Sequence, residues 1–195
     1  MDKNLSVHNN WFKEISSKKF LDVGLVQVYT GNGKGKTTAA LGQALRASGH
    51  NLKSFIIQFL KGGSYSGEVS AIENCAPLIK IYQAGRPFFV NKNKISEKDV
   101  CANRKGLILA EEISAGENDI NILILDEINV ALNLDIIKTE EIIELIKHKR
   151  TDIELILTGR NAPEEILDAA DLVTEMKEIK HYYDKNIPSR TGIEK

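Results

Sequence analysis

The chain predicts an α/β domain built on a mainly parallel sheet with helices on both faces, and three observations predict it. Six short apolar runs, each bounded by turn residues, alternate with helix-like segments along the sequence. One of them, residues 122–125 (ILIL), is apolar at consecutive positions, as expected of a strand covered on both sides. The first run leads through a glycine-rich turn straight into an alanine-rich helical segment.

The expected strands are residues 23–29 (VGLVQVY), 54–60 (SFIIQFL), 78–82 (LIKIY), 120–126 (INILILD), 153–159 (IELILTG) and 172–176 (LVTEM). The first helix starts near Lys36, carries Ala39, Ala40, Ala44, Leu45 and Ala47, and ends at "SGH", a glycine stop signal. The second opens at Ser96, with Asp99 three residues on as a capping box, and continues to about Ala115. The third has Glu140 and Glu141 in its first turn, a stripe of Ile142, Ile143, Leu145 and Ile146, and basic residues at its end. Pro163, Glu164 and Glu165 mark the start of a short fourth helix. Residues 1–22 form a separate N-terminal segment, whose Trp11, Phe12 and Phe20 are expected to dock on something apolar, and residues 23–195 form the α/β domain. The other long irregular stretch, 85–96 (GRPFFVNKNKIS), has a length that in compact domains often carries function.

Bulk properties exclude several classes. With 195 residues and 42% apolar composition, the chain can bury a single good core. A formal charge of -1 gives no electrostatic footprint for nucleic acid or an anionic membrane. The basic clusters at 17–19 and 147–150 read as solvated surface. The two cysteines, Cys75 and Cys101, lack metal-binding spacing and read as reduced thiols of a cytoplasmic protein. No apolar run approaches the roughly 18 residues of a membrane span, and the N-terminus is too polar for a signal peptide.

Residues 29–42, YTGNGKGKTTAALG, nearly spell the phosphate-binding loop G-x-x-x-x-G-K-[ST]. Five positions before Gly35 stands Thr30, and the nearest glycine, Gly31, is one position too close. A flexible ligand-free turn would show the same glycines, but the loop lies between an expected buried strand and an expected helix. There, successive backbone N–H groups and a helix N-terminus make an anion cradle. Lys36 would neutralise phosphate charge and Thr37 would place its hydroxyl on Mg²⁺. Asp126 and Glu127 end a buried strand where open α/β sheets bind ligands, and one carboxylate there can orient a metal while its neighbour contacts metal or substrate. Arg160 directly follows another strand end and is either a polyphosphate clamp or a surface arginine. Glu127 could also activate water, so an ATPase or small-molecule kinase stays open at this point.

The segments TGNGKGKTTAALGQALRASGH, IIQFLKG followed by GE, LILDEINVAL, LILTGRNAPEEILDAADLVTEM and IKHYYDKNIPSRTGIEK together resemble the P-loop ATP:corrinoid adenosyltransferases, in order, over about residues 23–195. The resemblance implies a RecA-like P-loop NTPase fold, a homodimer, and a shortened loop that holds ATP in reversed orientation. It implies transfer of the 5′-deoxyadenosyl group to Co(I) of a reduced corrinoid, cob(I)alamin or cob(I)yrinic acid a,c-diamide, with release of triphosphate. By it, Gly31, Asn32, Gly33, Lys34, Gly35, Lys36 and Thr37 wrap the triphosphate, with Thr38 and Arg160 also on the nucleotide. Thr37 and Glu127 become the Mg²⁺ pair (Mn²⁺ being the alternative ion), with Asp126 orienting them, and Lys36, Thr37 and Glu127 are the catalytic set.

The resemblance further implies a flavoprotein reductant. It also implies a role for Phe88 or Phe89, in the loop after the third strand, in displacing the lower cobalt ligand. The N-terminal segment with Trp11 would fold over the corrinoid. The chain departs from the pattern in lacking a tryptophan in that loop, in ending GIEK rather than in an aromatic, and in having Tyr182 where a smaller residue is usual. A non-catalytic carrier of nucleotide or corrinoid is the third reading, against which Lys36, Thr37 and Glu127 argue.

Overall fold

The computed structural model describes residues 21–63, 66–87 and 95–194. Trp11, Phe12, Phe20, Phe88 and Phe89, and with them the expected corrinoid-facing segments, lie outside the described residues. The chain runs β1 (Val26–Thr30), α1 (Lys36–Ser48), β2 (Lys53–Phe59), α2 (Gly67–Cys75), β3 (Ile79–Ala84), α3 (Glu97–Ala115) and β4 (Ile120–Asp126). It continues through α4 (Ile128–Asn133), α5 (Thr139–His148), β5 (Glu154–Thr158), α6 (Glu164–Asp168) and β6 (Leu172–Glu175), ending in a 3₁₀ turn at Tyr182–Lys185.

All six strands fall on the six apolar runs and form one sheet in the order β3-β2-β4-β5-β1-β6. Every pairing is parallel. Strands β2 and β4 are buried at every position. Their alternating side chains divide the core in two. Phe55, Ile57, Phe59, Leu123, Leu125, Leu155 and Leu157 face α3 to α6, which contribute Leu107, Ala110, Ile113, Ile128, Ile142 and Ile166. Ile56, Ile122, Ile124 and Ile156 face α1 and α2, where Ala40, Ala44, Ala47 and Ile72 meet them. The small alanines let α1 sit close to the sheet, which fixes the position of the loop that opens it.

Local chemistry sets the ends of the elements. The capping box of α3 is present: the Ser96 hydroxyl accepts the Asp99 N–H, and the Asp99 carboxylate accepts the Ser96 N–H. The stop of α1 differs from expectation. Gly49 is right-handed, and the left-handed turn falls at Asn51, with φ 60°, after which the Leu52 N–H returns to the Ala47 carbonyl. The cluster at 147–150 is also not simply solvated. Lys149 donates to the carbonyls of Gly24 and Ile153, and Arg150 to those of Gly116 and Ile120, tying chain turns at the end of the sheet opposite the loop. Helices α2 and α4 and the C-terminal 3₁₀ turn were not expected from periodicity. Cys75 and Cys101 are exposed free thiols. Among the described residues no helix is long and apolar enough to cross a membrane.

Candidate functional site

The carboxyl ends of β1, β2, β4 and β5 open onto a cavity of about 660 Å³. It is lined by residues 32–38 of the glycine-rich loop, by Lys61 and Glu68, by Glu127, and by Arg160. Residues from three separate segments that the sequence singled out, the loop, Glu127 and Arg160, therefore share one space with Lys61 and Glu68, the switch-point crevice that open parallel sheets provide.

The loop itself is held by its neighbours as well as by its glycines. Gly31 has φ +90°, and a β-carbon there would lie 2.6 Å from the Met176 carbonyl oxygen. The Gly33 N–H donates to that same carbonyl at 2.6 Å, so β6 anchors the loop from the sheet edge. Gly33 thus shapes the cradle, while its own N–H is engaged elsewhere. Lys36 is buried and donates to the Gly31 and Gly33 carbonyls at 2.6 and 2.7 Å, curling back across the loop it follows. Burial pushes its ammonium below the usual lysine range, an effect only partly offset by Glu127.

Asp126 organises the floor. It is fully buried, and four donors converge on its two oxygens. The hydroxyls of Thr37 and Thr158 reach Oδ1 at 2.7 and 2.8 Å. The Gln58 amide and the Lys61 ammonium reach Oδ2 at 3.1 and 3.0 Å. A carboxylate so saturated orients its neighbours and has no oxygen left to face the cavity. Asp126, expected among the metal residues as an orienter, here holds Thr37, Thr158, Gln58 and Lys61. Because the Thr37 hydroxyl donates to Asp126, its lone pairs are left for a cation.

Strand β5 lies between β1 and β4, and its Thr158 bridges the gap: it donates to Asp126 and accepts the Glu127 N–H at 3.0 Å. That contact supports Glu127 in a left-handed conformation, φ 62°, at the start of α4. Burial and then the charge of Asp126 push the Glu127 carboxyl above the usual range, against the pull of Lys61, Lys36 and Arg160. Lys61 shows the opposite balance. Burial would lower it, but Asp126, with Glu127 and Glu68, more than compensates and holds it above its ordinary value.

The oxygen donors here, Thr37 and Glu127, suit a hard divalent cation. Among the described residues no cluster of three His, Cys, Asp or Glu could cage an ion by itself.

Sequence reasoning placed Lys36, Thr37, Asp126, Glu127 and Arg160 and missed Lys61, Gln58 and Thr158. Lys61 follows β2 as Asp126 closes β4, so its position past a strand end was a usable signal. Thr158 carried none, because only the strand order reveals that β5 separates the two motifs. Lys34 behaves unexpectedly: it turns from the loop toward the C-terminal segment, to Tyr182, Ile193 and Glu194.

Comparison with known proteins agrees with this geometry. Residues 22–194 match the family described as ATP:corrinoid adenosyltransferase BtuR/CobO/CobP. A corrinoid adenosyltransferase of a Sinorhizobium species is 35% identical over 184 residues, covering 93% of this chain and 85% of its own length. One from Escherichia coli K12 is 33% identical over 171 residues, covering 88% and 85%. The corrinoid adenosyltransferase CobA of Salmonella typhimurium LT2 is 32% identical over 176 residues, again covering 88% and 85%.

Proposed function

The chain belongs to the ATP:corrinoid adenosyltransferase family, and from that premise we propose that it transfers the 5′-deoxyadenosyl group of ATP to Co(I) of a reduced corrinoid, releasing intact triphosphate. The observation that carries this reading is the convergence of the shortened loop, Lys36, Thr37, Glu127 and Arg160 on one cavity.

The chemistry asks little of the protein beyond alignment and charge. The cobalt lone pair forms the Co–C bond at the ribose C5′ as the C5′–O bond breaks, and that electron pair leaves on the triphosphate oxygen. A nucleophile this strong needs no general base, so catalysis reduces to orientation and stabilisation of the departing anion. Residues 31–33 and 35–38 shape and line the triphosphate cradle. Lys36 leaves its loop carbonyls for the phosphate oxygens, whose negative charge opposes the lowering that burial imposes on its ammonium. Arg160 approaches the same anion from the end of β5. Thr37 and Glu127 would hold Mg²⁺, or Mn²⁺ in its place, with Asp126 fixing the Thr37 hydroxyl. The ion, when bound, offsets negative charge on the leaving group. Reversed ATP, with the ribose toward the corrinoid, is what the family resemblance implies for a cradle one residue shorter than the usual loop. Homodimerisation, a cytoplasmic setting and a flavoprotein that supplies Co(I) complete the reading, and Phe88 or Phe89 is assigned to displacement of the lower cobalt ligand.

The test is anaerobic incubation with ATP, Mg²⁺ and chemically reduced cobalamin, following the absorbance change on Co–C bond formation together with the phosphate product. Triphosphate in step with the absorbance change is expected, whereas ADP formed without corrinoid would replace this reading with that of an ATPase. Lys36→Ala should lower kcat on the order of 10²-fold or more, since it removes the main charge facing the leaving group.

A further inference from the structure

Lys34 stands in the middle of the glycine-rich loop, yet every contact of its ammonium is with the end of the chain. It donates to the Tyr182 hydroxyl at 2.9 Å, the Ile193 carbonyl at 3.1 Å and Glu194 Oε1 at 2.9 Å. A lysine has three N–H donors, so this set engages all of them. The acceptors are themselves braced. The Tyr182 hydroxyl donates to Glu194. Arg190 donates through Nε and Nη2 to the two Glu194 oxygens at 3.2 and 3.0 Å, while its backbone N–H reaches Oε2 at 2.8 Å. The Arg190 guanidinium also lies 5.0 Å from the centre of the Tyr182 ring, with the Lys34 ammonium 5.6 Å away. These donors hold the Glu194 carboxyl well below the usual carboxylate range. The turn so built is part of the cavity wall, because Gly192, Ile193 and Glu194 line the cavity together with His181.

We infer that Lys34 is not a phosphate ligand but the anchor of a C-terminal turn, residues 190–194, that completes the nucleotide cavity, so that Glu194 and Tyr182 are positioning residues for ATP. The inference rests on the nucleotide reading of the cavity. It changes what residue 34 does. A carboxylate beside a triphosphate would repel it unless neutralised, and here Lys34 and Arg190 neutralise it from both sides. The carboxylate then acts as a bolt between loop and chain end, with Ile193 presented to the cavity.

Opposite signs separate this role from its rival. If Lys34 were a phosphate ligand held back by Glu194, then Glu194→Ala would free it and tighten ATP binding. As an anchor, Lys34→Ala and Glu194→Ala lose the same wall. Calorimetric titration of the full chain with ATP, without corrinoid, should show each single variant weakened by roughly fivefold, the scale of an exposed charged network. The double variant should be no weaker than either single. Glu194→Gln should recover part of the loss by retaining an acceptor. Trypsin cleavage after Arg190 should be slowed by ATP in the wild type and accelerated by Lys34→Ala, which a phosphate-ligand role would leave unchanged. Tighter or unchanged binding in Glu194→Ala, or additive losses in the double variant, would overturn the inference. Failure of the wild-type chain to bind ATP at all would instead remove the nucleotide reading beneath it.

Discussion

Asp126 and Glu127 are adjacent in sequence and opposite in environment. Asp126 is enclosed by four donors. Glu127, one residue on, is half-buried, and its carboxyl is pushed up by that burial and by Asp126 beside it. Lys36 is depressed by burial on the facing wall. For the free enzyme, kcat/KM for ATP should therefore show a narrow bell. In the proposed role Glu127 would have to be ionised to hold a cation, so its raised value would move the acid limb above the ordinary glutamate range. Lys36 would likewise have to be charged to hold phosphate, so its lowered value would move the basic limb below the ordinary lysine range. For stability the signs are distinct. The Glu127 shift is a cost carried above its folded pKa and relieved as pH falls through it, so acid should weaken nucleotide binding before it weakens the fold. Glu127→Gln should abolish the acid limb together with the metal requirement, and a profile with its acid limb near pH 4 would contradict the assignment. Thr158 is the structural counterpart. Thr158→Val leaves the buried Asp126 short of a donor and the Glu127 N–H without its acceptor. Urea unfolding should show a loss of about 1–3 kcal/mol, with a parallel drop in ATP affinity.

At the scale of elements, the strands were legible and their order was not. Strand β4, buried at every position, was readable to the residue because a strand covered on both faces is apolar along its middle. Strands β1 and β3 are half-buried at alternate or inner positions and β6 is exposed throughout, so these were legible from β-prone runs between turn residues. Helices α2 and α4 escaped because their 9 and 6 residues hold too few turns to show a period. The loop, Asp126, Glu127 and Arg160 were legible because their chemistry is written in short contiguous motifs. Lys61 was hidden because its role depends on neighbours distant in sequence. Leu60, at φ 60°, gives its N–H to the buried Asn103 on α3, and this turn presents Lys61 to Asp126. The same turn passes against Gly85 at the end of β3, where an added β-carbon would lie 2.4 Å from the Lys61 nitrogen and 2.5 Å from the Leu60 carbonyl carbon. Backbone cannot yield as a side chain can. Gly85→Ala should therefore separate the ends of β2 and β3, costing about 1–3 kcal/mol in urea unfolding. It should also weaken ATP binding by displacing Lys61. A loss of stability with unchanged affinity would show that Lys61 is placed by something other than this contact.

The whole molecule places its site across the sheet rather than on one edge. The loop follows β1, Lys61 follows β2, Asp126 and Glu127 close β4, Arg160 follows β5, and the chain end returns to Lys34. A ligand that fills this cavity therefore adds a common tie to five segments that are already joined pairwise, through Asp126 to Thr37, Lys61 and Thr158 and through Lys34 to Glu194. Binding to the folded state alone stabilises it by RT ln(1 + [L]/Kd), about 2.7 kcal/mol at a hundredfold excess over Kd. For a chain of this size that corresponds to a rise of roughly 5–10 °C in Tm. Because the tie is distributed, amide exchange should slow together at residues 31–38, 60–62, 126–128, 159–161 and 190–194 when ATP and Mg²⁺ are added. The opposite end of the sheet supplies the internal control. There Lys53 is already paired with Asp119 at 2.6 Å and Arg150 holds the carbonyls of Gly116 and Ile120, so its exchange should change only with global stability. Protection confined to residues 31–38 would mean that the loop binds nucleotide alone and that the other strand ends do not act on it. Protection at all five segments except 190–194 would leave the sheet-wide site standing and remove the C-terminal turn from it.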